Sequence, residues 1–159
     1  MRVASPKSSH PRFRSSCHPT EKRRKKSVLP VCDRQFIEDF ETLVLPADKF
    51  HHEDHVRLAF LYLRQLPTLE AVKRFATSLQ RFAAHHGKTR LYHETITWAF
   101  LFLIRERMQR NRTLRTWRIF AEANPDLVHS GKDLLKKYYR EETLSSDLAR
   151  TTFLFPDRI

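Results

Sequence analysis

At 159 residues the chain has room for one domain of ordinary size with a real hydrophobic core. Two glycines in the whole sequence supply too few turns for a many-stranded β fold and point to helices joined by short loops. The net charge of +12 resembles a nucleic-acid signature only until it is divided, because residues 1–31 hold nine Lys/Arg against Glu21 while residues 32–159 hold 21 against 17 acids. The body is only mildly basic and does not demand a polyanionic partner.

Residues 1–31 are Ser-, Pro-, Arg- and Lys-rich with little apolar content, which predicts a disordered basic tail. The run Lys22-Arg23-Arg24-Lys25-Lys26 suits nucleic acid, anionic lipid or an import receptor; it equally suits a solvated tail, or an upstream extension foreign to the native protein. Cys17 and Cys32 are the only cysteines and form no Cys-x-x-Cys pair, so no disulfide framework or thiolate knuckle is expected. The longest apolar run, Trp98 to Ile104, is seven residues and too short to span a bilayer. With no signal-peptide core in view, the expectation is a soluble, cytoplasmic protein.

The ordered domain is expected over residues 32–159 as a bundle of five or six helices. Phe36, Ile37, Phe40, Leu43 and Val44 recur at helical spacing up to Pro46. A second helix runs from about His52 to Leu66, ended by Pro67. Thr68 suits the N-cap of a third, whose stripe is Leu69, Val72, Phe75, Leu79 and Phe82, with Gly87 as its left-handed C-terminal cap. The fourth spans His93 to Gln109. Eight of its nine residues from Ile96 to Ile104 are apolar, which predicts burial on all sides and a central place in the fold. A fifth is expected from Thr113 to Ala123, a sixth over Lys132 to Tyr139 and a last turn around Ser146 to Arg150. The apolar tail Phe153-Leu154-Phe155 is expected to pack back onto the bundle.

Six of the nine histidines fall at three helix ends that antiparallel packing brings to one end of a bundle. His51, His52 and His55 open the second helix, His85 and His86 close the third, and His93 opens the fourth. His52 and His55 share a face and continue the inward stripe of Ala59, Tyr62 and Leu63, while His93 and Thr97 continue that of Phe100 and Ile104. These positions predict a partly buried polar pocket.

Three readings of that pocket stand together. As a metal site, His52, His55 and His93 with an open fourth position suit zinc, and Glu94 added to them suits iron or manganese. As an anion or small-molecule site, two helix N-termini with Arg57, Arg90, His52 and His93 would cradle a carboxylate or phosphate, with histidines neutral enough to act as bases. As plain helix chemistry, the imidazoles cap helices or bond carbonyls and Glu94 is an ordinary first-turn acid. Neither the His-Glu-x-x-His pattern nor the Glu-x-x-His pair of di-iron bundles is present. The series Arg105, Arg107, Arg110, Arg112, Arg115 and Arg118 faces only Glu106 as an opposing charge. It fits RNA or an acidic protein, or simply a solvated helix surface.

The segments Phe50-x-His52-x-x-His55-Val56-Arg57 and Tyr92-His93-Glu94-Thr95-Ile96-Thr97 resemble those of a family of small, uncharacterised bacterial all-helical proteins. The resemblance covers about residues 36 to 156, includes the terminal Phe153-x-x-Pro156-Asp157-Arg158 and leaves out the basic tail. It implies the domain boundaries and no activity. A looser likeness is to metal-binding four-helix bundles of the DinB type, which place three histidines at one bundle end. Their pair is His-x-x-x-His, whereas this chain has His52-x-x-His55.

The sequence therefore predicts an all-α domain behind a basic tail, with a polar pocket lined by His52, His55 and His93 and possible zinc, iron or manganese. As an enzyme it would act on a small polar molecule, with His93 as ligand or base and Glu94 as proton shuttle. The competing class is a non-catalytic protein that meets protein or RNA through the arginine face, its histidines being structural. No oligomeric state follows from the residues.

Overall fold

The computed structural model of the chain describes residues 29–158, so the expected tail and its basic run lie outside the described residues. Among the described residues the protein is all-α. Residues before 32 already belong to the fold: Leu29 is buried and Pro30 sets an extended backbone that leads into α1, Val31–Glu41. That helix buries Ile37 and Phe40 but stops five residues short of Pro46. The Thr42 hydroxyl turns back onto the Glu38 carbonyl at 2.7 Å, and Leu43 then takes a left-handed backbone (φ 64°) that ends the helix.

Helix α2 (His52–Gln65) starts where the Asp54 carboxylate accepts the His51 backbone N–H at 3.0 Å. Every residue from Leu58 to Leu63 is buried, because α3, α4, α5 and α6 all pack around this helix. It is the central element, which corrects the expectation for the fourth helix. Helix α3 (Thr68–His85) starts one position earlier than expected, with Pro67 rather than Thr68 at the N-cap. Its other end is a Schellman motif: Gly87 (φ 65°) donates to the Ala84 carbonyl and Lys88 to that of Ala83, at 3.0 and 2.7 Å.

Helix α4 (Glu94–Arg110) has His93 as its N-cap. One face, with Leu101 and Ile104, is fully buried against the core, while Phe102 on another is 37% exposed. Its apolar run is not buried all round. It serves two partners: the core on one side and, on the other, Phe153, which stacks on Trp98 at 5.7 Å and meets Phe102 edge-on at 5.9 Å.

Helix α5 (Trp117–Ala123) begins four residues later than expected, where the Thr116 hydroxyl accepts the Ile119 N–H at 3.4 Å. Four helices of five residues each follow: α6 (Pro125–His129), α7 (Gly131–Leu135), α8 (Glu141–Ser145) and α9 (Asp147–Thr151). The expected helix over Lys132 to Tyr139 is thus replaced by α7 and turns, and α8 has no counterpart among the helices that the sequence suggests. The terminal segment straps across α4, as the sequence suggests for Phe153, although Phe155 stays 82% exposed. Buried Thr95 donates to the Thr152 carbonyl (2.7 Å) and accepts the Leu154 N–H (3.1 Å), and the Tyr139 hydroxyl donates to the Leu154 carbonyl (2.9 Å). Asp157 closes the strap by accepting the Arg140 N–H and the Thr143 hydroxyl. No helix among the described residues is long and apolar enough to cross a membrane.

Candidate functional site

Where α2, α3 and α4 meet, they leave a cavity of about 280 Å³. His52, His55 and His93 all line it, with Thr97 beside them and Phe75, Leu79, Phe100 and Ile104 forming apolar walls. His52 and Leu91 are largely exposed and mark its mouth. The inward stripes of three helices converge there because each helix has its apolar face toward the others.

The three imidazoles differ in what they hold. His93 uses both ring nitrogens. Nδ1 accepts the Ile96 backbone N–H at 3.3 Å, which leaves the hydrogen on Nε2 to donate to the Leu144 carbonyl at 2.8 Å. Burial lowers its pKa, the Leu144 carbonyl opposing that and Arg150 adding to it, so this ring is a neutral cap. His52 lies at the surface and donates from Nε2 to the Leu127 carbonyl at 2.9 Å, its ring edge-on to Phe100. Gly131 makes room for it: a Cβ there would collide with the His52 ring and come within 2.9 Å of Phe100.

His55 is different. Its ring lies over Phe50 at 4.1 Å, and among the described residues no hydrogen bond reaches either nitrogen. Burial lowers its pKa to about 4, with the nearby His52 lowering it further, so at neutral pH it is an uncharged imidazole. It also lines a second, smaller chamber of about 130 Å³, which shares Leu79 and Leu91 with the first. That chamber is walled by Phe50 and Phe82 and includes His86, Lys88 and Tyr92.

The other sequence candidates lie outside the cavity walls. Glu94 accepts the Tyr92 hydroxyl at 2.5 Å; burial and then Glu94 push the Tyr92 phenol up. Arg57 pairs with Asp33 of α1 at 2.7 Å and covers the Phe36 ring. The Arg90 side chain is exposed, and its backbone carbonyl accepts Arg150 at 2.8 Å. Among the described residues no three His, Cys, Asp or Glu side chains converge on a point that an ion would occupy. The reason is visible in the bonds: His93 has no nitrogen to spare, and His52 gives Nε2 to the backbone.

The arginine series is also divided by the fold. Arg107 holds Asp126 (2.8 Å) and Asn124 (3.1 Å), and Arg110 holds Glu106 (2.6 Å). Arg112, Arg115 and Arg118 are exposed beyond the end of α4. Phe75, Leu79 and Phe100 had been legible only as core stripe positions. Nothing in their spacing distinguishes an apolar side chain that meets another from one that lines a void.

Comparison with protein-family models, with curated proteins and with solved structures finds no match.

Proposed function

We propose that this protein binds a small, largely apolar molecule in the cavity between α2, α3 and α4, with His55 as its polar contact. The observation that carries this reading is His55 itself: a neutral imidazole without a hydrogen bond among the described residues, on the wall of a mostly apolar cavity. A polar group so placed favours a partner that returns the hydrogen bond it lacks. An apolar cavity of about 150 Å³ suffices for benzene, so the 280 Å³ here admits a larger body. His52 and His93 are the scaffold of the site, since their bonds to Leu127 and Leu144 hold its edges.

The test is a calorimetric and NMR titration of the full chain with small apolar alcohols and phenols. Saturable binding that shifts the His55 ring signals is expected. Ala59→Phe, which adds a ring to a buried wall position of the cavity, should abolish binding while the helical circular dichroism persists. Binding of the same strength in the folded Ala59→Phe variant would place the ligand elsewhere and sink the reading.

A further inference from the structure

The smaller chamber narrows the class of ligand. Its walls are apolar except for His55, His86 and Lys88, the Tyr92 hydroxyl being committed to Glu94. His86 Nε2 is buried and has no hydrogen-bond partner among the described residues, while the ring packs against Phe82 at 4.5 Å. A buried nitrogen without a partner is costly, and in native proteins such a group commonly marks a missing water, ion or ligand. Lys88 follows directly after the Gly87 cap, lines the same chamber and is solvent-exposed, which puts a lysine side chain at the chamber's edge.

We infer that the ligand is an amphipathic monocarboxylate, with its apolar body in the larger cavity and its carboxylate in the smaller chamber against His86 and Lys88. In its Nε2–H form His86 donates to one carboxylate oxygen and Lys88 supplies the opposing charge. The negative end of α3 opposes an anion here. The Ala84 and Ala83 carbonyls are, however, already taken by Gly87 and Lys88 in the Schellman motif, and the Lys88 side chain lines the same chamber. His55 lines both chambers, so it stands where body and head meet, and the second carboxylate oxygen returns the hydrogen bond its ring lacks. A cation would meet Lys88 at the head position, and a wholly apolar ligand would leave His86 Nε2 without a partner.

This inference rests on the cavity reading, and one pair of probes separates the two. Octanoate and 1-octanol share a tail and differ in the head. Calorimetric titration of the full chain should show octanoate binding about tenfold more tightly, the scale of one charge-assisted contact. Lys88→Met and His86→Leu should each bring octanoate down to the affinity of 1-octanol and leave the alcohol unchanged. Lys88 is exposed, so its variant keeps the test sound even if His86→Leu disturbs the end of α3. Equal affinity for the two probes in the parent chain overturns the carboxylate assignment and leaves the cavity reading standing. Failure of both to bind overturns both. A preference for octanoate that survives in Ala59→Phe places the anion on the basic surface and overturns the inference.

Discussion

The long helices α2, α3 and α4 and the short helices α6 to α9 are held by different forces. The long ones have 14, 18 and 17 residues, satisfy most backbone groups internally and gain their stability by burying one face. A five-residue helix leaves nearly all its N–H and C=O groups without internal partners. The C-terminal part finds those partners in the bundle: His52 receives α6 at Leu127, His93 receives α8 at Leu144, and Thr95 receives the strap. Two of the three cavity histidines are therefore fasteners for the short helices. Among the described residues His55 alone of the three has no hydrogen bond, and that division gives the site its character.

Substitutions on either side of this division should have separable effects. Leu61 is fully buried at the centre of α2, so Leu61→Ala should cost about 2–5 kcal/mol and lower protection from hydrogen exchange across the whole domain. Loss confined to one end of the molecule would show that α2 is not the common core.

Acid should act through His55. The unfolded imidazole takes a proton below about 6.5, whereas the folded one resists until about 4. Stability is thus fully present above the first value and declines as pH falls toward the second, by up to about 3 kcal/mol. The lowered pKa of His93 adds in the same direction. Denaturant titrations at pH 7 and 4.5 should show a smaller loss in His55→Leu than in the parent chain. An equal loss in both would mean that other groups carry the acid sensitivity.

Thr95→Val preserves shape and removes both hydrogen bonds to the strap. A cost of about 1–3 kcal/mol is expected, read as faster amide exchange in residues 152–158 while α2 and α3 stay protected. Uniform loss of protection would contradict the division into two regions. The smallest effect belongs to Gly131→Ala, where the new methyl displaces the His52 ring from Leu127 at about 1 kcal/mol, one ordinary hydrogen bond. An unchanged His52 ring resonance in that variant would mean the link to α6 is not made.

Sequence periodicity located α2, α3 and α4 to within a residue or two, because apolar faces repeating at 3.6 residues need no knowledge of their partners. It also put His52, His55 and His93 at the same bundle end. The C-terminal part was far less legible: α8 had no periodic signature, and a single helix was expected where α7 and turns stand. Elements of five residues are too short to show a period. Their positions are decided by carbonyls and hydroxyls reached across 14 to 75 residues of chain, as between His52 and Leu127 or Thr143 and Asp157.

Composition and pattern alone thus determined the helical class and the gathering of the histidines. Two glycines and repeating apolar stripes leave little else for the chain to do. That α2 rather than α4 lies at the centre, and that His55 is the imidazole without a hydrogen bond among the described residues, came from the packing of the helices. Both depend on which helix face meets which neighbour, and an apolar stripe names a buried face without naming its partner. The same holds for the void beside His55, because an empty space is the residue of packing and no side chain encodes it by itself.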